Sequence, residues 1–104
     1  SSAFSERQEV IDVLNITADY IMEMQLPPNS PWWNKANFFS IVVELARLPE
    51  LRTQPAEVAG SKLQRFGERF PEDYALAARE AVSRKPQREL RGKTVRAVLQ
   101  DTGR

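Results

Sequence analysis

Apolar residues in the first quarter of the chain recur at spacings of three and four, which is the pattern of an amphipathic helix. The members of this stripe are Val10, Ile11, Leu14, Ala18, Ile21 and Met22. Ser5 and Gln8 stand in the order of a capping box, so we expect the helix to begin near residue 6. It must end before Pro27, because proline has no N–H group with which to continue a helix.

Two adjacent tryptophans follow a proline-rich loop after the first helix. Pro27, Pro28 and Pro31 lie close together, so this segment cannot continue either neighbouring helix and should form an ordered loop. Trp32 and Trp33 either form an exposed pair that recognises a partner or cover an edge of the core, where large aromatic side chains usually lie. We expect at least one of the two indoles to be part of the core.

The helix after this loop is apolar on more than one face, and Asn34 is available as its N-cap. Its apolar positions are Phe38, Ile41, Val42, Leu45, Ala46 and Leu48, widened by Phe39 and Val43. Because such a helix is normally the most buried one, we predict that it is central and that Pro49 ends it. The side chains expected to be nearly buried are Phe38, Ile41, Val42 and Leu45.

A third helix is predicted with Thr53 as its cap and Pro55 just inside its first turn. Its apolar stripe consists of Ala59, Leu63, Phe66 and Phe70. Gly60 and Gly67 each weaken the helix by about 1 kcal/mol relative to alanine. Either packing compensates for this cost, or the two glycines let another part of the chain approach closely.

Pro71 opens a fourth helix, and a fifth should run from about residue 87 to residue 100. The predicted inward residues of the fourth helix are Tyr74, Ala78, Ala81 and Val82, and those of the fifth are Leu90, Thr94, Val95, Val98 and Leu99. No period-two alternation indicates a strand. The sequence therefore predicts an all-α fold, a compact bundle of about five helices. We expect residues 1–104 to form a single helical domain and, lacking an initiator Met, to be a fragment of a larger protein.

The amino-acid composition excludes several kinds of catalytic and metal-binding site. The chain is 41% hydrophobic and 28% charged, which is ordinary for a globular domain, and it contains neither Cys nor His. Cys–His zinc sites, Cys nucleophiles and Ser-His-Asp relays are thus excluded, and the four scattered glycines form no phosphate-binding loop. We expect no catalytic, metal or cofactor-binding residue in this chain. The absence of cysteine and of a long apolar run fits a cytoplasmic protein without a membrane partner.

Basic residues are concentrated at one end of the chain. Residues 1–82 hold 8 basic and 12 acidic side chains, and residues 83–104 hold 7 basic and 2 acidic ones, so the sums are −4 and +5. The candidate contact residues for DNA or a partner are Arg84, Lys85, Arg88, Arg91, Lys93 and Arg96, of which we expect the last four to face outward on the fifth helix. No aromatic residue is interleaved to stack on bases, so DNA would be contacted nonspecifically, through phosphates. A solvated helix face remains the alternative.

The segment from Trp32 to Glu50 resembles the helical part of the GmrSD-type restriction proteins, once catalogued as domain of unknown function 262. The matching features are Asn34-Lys35 before the aromatic pair Phe38-Phe39, Leu63 and Phe66 at the spacing L-x-x-F, and a basic segment whose R-x-x-h-h ending corresponds to Arg96-Ala97-Val98-Leu99. The resemblance implies a bacterial phage-defence protein in which such helices join a ParB-like nucleotide-hydrolysing domain and often a His-based nuclease. The D-G-Q-Q-R motif and all histidines are missing here, so no catalytic residue of that family carries over.

Two hypotheses about function follow. The first is a non-catalytic accessory module of a restriction NTPase or nuclease, which packs on the catalytic domain of the parent polypeptide and contacts the DNA backbone. The alternative is a stand-alone protein–protein adaptor that grips its partner with the tryptophan-containing loop and the acidic first helix.

Overall fold

Five α-helices and two short 3-10 helices make up the part of the chain that the computed structural model describes, residues 3–79 and 84–102. The α-helices are α1 (Ala3–Glu23), α2 (Lys35–Arg47), α3 (Ala56–Gly67), α4 (Glu72–Arg79) and α5 (Lys85–Gln100). The 3-10 helices, Pro31–Trp33 and Pro49–Arg52, flank α2. The prediction of an all-α bundle of about five helices is confirmed. Ala81 and Val82, predicted to face inward on the fourth helix, lie outside the described residues.

Helix α1 is packed against the bundle only near its C-terminal end. It begins at Ala3, so Ser5 lies inside the helix and the predicted capping box is wrong. Its buried residues are Thr17, Tyr20 and Ile21, which contact α2 and α3. The predicted apolar stripe is therefore covered at Ile21 only, and its other members Val10, Ile11, Leu14, Ala18 and Met22 are exposed. With 21 residues α1 is the longest of the described helices, and none of the others covers its first half.

Helix α2 is central, as predicted, but it shares that position with α5. It packs against α1, α5 and both 3-10 helices, while α5 packs against α2, α3 and α4. Ile41 and Leu45 are completely buried, whereas Phe38 and Val42 are only half-buried at the edge of the core. Phe39 is half exposed because it lies on a side of α2 that the described helices leave open. The residue at the N-cap, Asn34, makes no side-chain capping hydrogen bond.

The start of α3 differs from the prediction by two residues. Pro55 occupies the N-cap position and the helix begins at Ala56. The Thr53 hydroxyl donates to the carbonyl of Glu50 at 2.7 Å and so closes the second 3-10 helix instead of capping α3. Gly60 lies against the end of α1, where an added Cβ would be 2.6 Å from the carbonyl oxygen of Met24. The close approach considered for the glycines is thus confirmed here.

The two tryptophans have different environments. Trp32 is completely buried, and its indole N–H donates to the carbonyl of Leu63. Aromatic rings surround it at centroid distances of 5.3 to 6.3 Å, those of Phe66, Phe70 and Tyr74. Trp33 remains 39% exposed, stacks on Phe38 and donates to the carbonyl of Pro27. The prediction that at least one indole belongs to the core is confirmed, and only Trp33 is left as an accessible residue of the proposed interaction loop.

Helix α5 supplies the second half of the core. It begins at Lys85, two residues before the predicted start, and buries Val95 and Leu99 completely or almost so. Leu90, Thr94 and Val98 are half-buried. Among the described helices, none has the length and apolar character needed to cross a membrane.

Candidate functional site

Arg91 faces into the bundle, and the prediction that it faces outward is wrong. Its side chain has no exposed surface; its Nε donates to the Ser40 hydroxyl at 3.2 Å and its Nη1 donates to the Ala77 carbonyl at 2.9 Å. Arg91 lies one turn before Val95, so both residues share the inner face of α5. The carbonyls in the last turn of α4, Ala77 among them, favour a cation at this point. Arg91 thus stabilises the packing of α2, α4 and α5 and is not a surface contact residue.

A second set of hydrogen bonds connects Tyr74 on α4 with Asn37 on α2 and with the backbone at Pro31, beside the two tryptophans. The Tyr74 hydroxyl donates to Asn37 Oδ1 at 2.9 Å, and the Asn37 side-chain amide donates to the carbonyl of Pro31 at 2.9 Å. Burial raises the pKa of Tyr74 above its ordinary value, and the positive charge of Arg91 offsets part of this rise. Burial likewise lowers the pKa of Arg91, and Tyr74 offsets part of that change. These groups hold helices together, so we assign them a structural role.

Arg96 is bound to a buried carboxylate on the opposite side of α5. Its Nη1 lies 2.8 Å from Glu44 Oε1, and the Glu44 side chain is only 4% exposed. Gly92 makes this contact possible, because a Cβ added there would be 2.6 Å from Glu44 Oε2. A buried charge needs a partner of opposite charge and good geometry, which Arg96 supplies. The guanidinium of Arg96 is thereby held in place beside the helix surface.

A groove with a volume of about 660 Å³ runs between α2 and α5, directly above this ion pair. We call it the α2–α5 groove. Its floor contains the buried residues Ser40, Glu44 and Gly92. Its walls carry apolar and basic side chains, namely Phe39, Val43 and Arg47 from α2 and Arg88, Glu89, Leu90, Lys93 and Arg96 from α5. The volume lies within the range of about 300 to 1,000 Å³ that is usual for ligand sites.

The groove collects only half of the basic residues that the sequence singled out. Arg88, Lys93 and Arg96 line it, whereas Arg91 is completely buried and is not among the residues that line it. Arg84 and Lys85 are exposed and are not among its lining residues; Lys85 Nζ lies 3.8 Å from Glu89 Oε1, a separation at which an exposed pair contributes little. The six candidates therefore do not form one continuous basic face.

Sequence reasoning missed the contribution of α2 to this site. Phe39, Val43 and Arg47 are spaced four residues apart and so lie on one side of the helix. That spacing is the available signal, but the apolar character of Phe39 and Val43 equally predicts that they belong to a wide buried face of α2. Arg47 adds a fourth cation to the groove from a position forty-one residues before Arg88.

The chain matches no protein-family model, no curated protein and no solved structure. The resemblance to the GmrSD-type restriction family therefore stays a prediction. Within the described residues, no group of three or more potential metal ligands is brought together. The arrangement in the groove is suited to binding, since its cations, of which Arg96 is held by Glu44, lie beside apolar side chains that a ligand can cover.

Proposed function

We propose that this domain is a non-catalytic protein-interaction module whose α2–α5 groove binds an acidic, amphipathic segment of a polypeptide. The observation that carries the proposal is the composition of the groove, in which four cations surround the apolar side chains of Phe39, Val43 and Leu90. An amphipathic helix or strand presents the complementary surface, with apolar residues for the walls and carboxylates for the cations. In the setting implied by the family resemblance, that segment would belong to the catalytic part of a phage-defence protein.

DNA backbone contact, the other use of the basic end, is supported less well. Of the six candidate residues, Arg91 is buried and Arg96 is engaged by Glu44. Nonspecific affinity for DNA depends on the number of phosphates that cations neutralise, so each cation lost lowers it. A groove between two packed helices, whose axes lie about 8 to 10 Å apart, also suits a single polypeptide segment better than a duplex.

Arg88 and Lys93 are the residues through which the proposal can be tested. Both are exposed and line the groove, so replacing both with Glu should leave the core intact while it reverses the charge of one wall. Reversing an exposed charge changes a contact by about 1 kcal/mol, so the pair should weaken binding of an acidic segment by roughly tenfold or more. Lys35→Glu is the matched control, since Lys35 is an exposed cation outside the groove.

The measurement is a fluorescence anisotropy titration of the whole chain with labelled helical peptides of about 18 residues. One peptide carries leucines on one face and glutamates beside them, and a second carries lysines in place of the glutamates. We expect the glutamate peptide to bind, the lysine peptide not to bind, and the Arg88→Glu/Lys93→Glu variant to lose the glutamate peptide. Equal binding of both peptides, binding that survives the charge reversal, or binding of a DNA duplex but of neither peptide would refute the proposal.

A further inference from the structure

One side of α1 carries a row of exposed residues whose spacings alternate between three and four. We call this row the α1 seam, and its members are Phe4, Arg7, Ile11, Leu14 and Ala18. Ile11 and Leu14 are 43% and 46% exposed. A row with these spacings repeats every 3.5 residues on average, which is the pattern by which one helix of a coiled coil packs along another. The seam is about 21 Å long, and the described helices of the bundle leave it uncovered.

The residues beside the seam indicate what kind of helix fits it. In a coiled coil, charged residues at the two positions that flank the seam select the partner. On α1 these flanking positions are all uncharged, and they are occupied by Ala3, Gln8, Val10, Asn15, Thr17 and Met22. Four of the five carboxylates of α1 lie on the opposite side of the helix, namely those of Glu9, Asp12, Asp19 and Glu23. The matching partner is therefore a helix with the same spacing and uncharged flanks, and α1 has both properties itself.

We infer that the α1 seam pairs with the α1 seam of a second copy of this chain, with the two helices antiparallel. Arg7 decides the direction, because parallel helices would bring the two Arg7 side chains together within the seam, where like charges repel. In the antiparallel pair, Arg7 lies opposite Ala18 of the second copy, and Ile11 lies opposite its Leu14. The small side chain of Ala18 leaves the guanidinium room to extend past the edge of the seam into water.

The two ends of α1 also fit this arrangement. Its most exposed large apolar side chains are Phe4 near the N-terminal end and Met22 near the C-terminal end, at 77% and 71%. When the helices run in opposite directions, Phe4 of one copy lies beside Met22 of the other, and each covers apolar surface of its neighbour. The half of α1 that extends beyond its own bundle is thus covered by the half that the second bundle holds in place.

The pairing costs little beyond the lost free motion of the two molecules. Packing on α2 and α3 already holds α1 in the folded domain, so no helix has to form on association. The acidic sides of the two helices face away from each other and are roughly 20 Å apart, about two Debye lengths. Because a contact between two single helices is smaller than the roughly 1,200 Å² of a stable interface, we expect a dissociation constant of about 10 to 100 μM. The symmetric pair closes at two copies, leaves the α2–α5 groove free and does not depend on the proposed function.

Association is measured by sedimentation equilibrium of the full chain at about 10 to 500 μM. Ile11→Asp/Leu14→Asp places two carboxylates within the seam. Ile16→Asp is the matched control, because Ile16 is 52% exposed on the opposite, acidic side of α1. All three positions are exposed, so circular dichroism should report the wild-type helicity for every variant. We expect the wild type and the control to form a dimer at the higher concentrations and the double variant to associate about tenfold or more weakly.

Single cysteines report the direction of the helices, because the chain contains no cysteine of its own. The variants Arg7→Cys and Ala18→Cys are prepared separately, mixed and equilibrated in a glutathione buffer, in which disulfides persist only between sulfurs that the structure holds close together. The antiparallel pair predicts a disulfide that joins one variant to the other. A parallel pair predicts instead that Arg7→Cys becomes crosslinked to itself.

Each of the other outcomes overturns the inference. A wild-type chain that stays monomeric at every concentration would show that the seam does not bind a second copy. A dimer that Ile11→Asp/Leu14→Asp leaves unchanged would place the interface elsewhere, and equal weakening by Ile16→Asp would assign the effect to added charge instead of the seam. Crosslinking of Arg7→Cys to itself, with none to Ala18→Cys, would refute the antiparallel direction.

Discussion

Replacing Trp32 with alanine should destabilise the domain far more than the same change at the adjacent Trp33. Trp32 is completely buried among Phe66, Phe70 and Tyr74, and Trp33 is 39% exposed. The two substitutions remove the same atoms from neighbouring positions in one loop. Because the residue type and the substitution are the same, the difference between the two losses in free energy of unfolding reports only the environments of the two indoles.

The expected magnitudes follow from the contacts that each indole makes. Truncation of a buried aromatic residue to alanine costs about 3 to 5 kcal/mol through lost burial and the cavity left behind. Loss of the hydrogen bond from Trp32 to the carbonyl of Leu63 adds roughly 1 kcal/mol. Trp33→Ala removes a stacked contact with Phe38 and one exposed hydrogen bond, together about 1 to 2 kcal/mol. Because domains are stable by only about 5 to 15 kcal/mol, Trp32→Ala should leave the protein close to unfolding.

Urea titration followed by far-ultraviolet circular dichroism gives both free energies of unfolding without depending on tryptophan emission. Single-tryptophan variants provide a second measurement: with Trp33→Phe the remaining indole should resist quenching by acrylamide, and with Trp32→Phe it should be quenched readily. A cost below about 1 kcal/mol for Trp32→Ala, or equal costs for the two alanine variants, would show that Trp32 does not anchor the aromatic core.

Three further predictions concern single positions. Gly60→Ala should lower the free energy of unfolding in urea by about 1 to 3 kcal/mol despite a helix-propensity gain of about 1 kcal/mol, because the new methyl group would meet the backbone of Met24; an increase would contradict the close packing. Gln25→Gly should raise the melting temperature, since Gln25 has a φ of 54° and glycine adopts that conformation without the usual cost of about 1 to 2 kcal/mol. Stability should fall as the pH rises above about 10, because burial raises the pKa of Tyr74 in the folded state and the unfolded chain releases that proton first. The contribution of Tyr74 to the free energy of unfolding is complete below the pKa of the unfolded chain and is lost as the pH rises toward the higher pKa of the folded state. In urea titrations at a series of pH values, Tyr74→Phe should therefore lose less stability at alkaline pH than the wild type. An equal loss in both proteins would show that other groups cause it.

The sequence alone determined the fold class and most of the helices. The evidence was local: apolar residues at spacings of three and four, prolines between the stripes, and no period-two alternation. These patterns depend only on the geometry of a single helix and not on its neighbours. For the same reason Ile41, Leu45, Leu63 and Leu99 could be assigned to the core from their position in a stripe. Helix ends were less certain, as Ser5 and Thr53 demonstrate, because a side chain able to cap a helix also forms other local hydrogen bonds.

Only the tertiary structure decided which apolar and charged residues are covered. Val10 and Leu14 belong to as regular a stripe as any in the chain, yet they are exposed because α1 extends beyond the helices that bury Ile21. Arg91 has basic neighbours in the sequence that are exposed, yet its own side chain is buried. Inside the bundle its guanidinium donates to the Ala77 carbonyl near the end of α4 and to the Ser40 hydroxyl. The α2–α5 groove joins Arg47 to residues some forty positions later. Periodicity reports the shape of one helix, whereas burial and binding surfaces depend on which helices lie beside it.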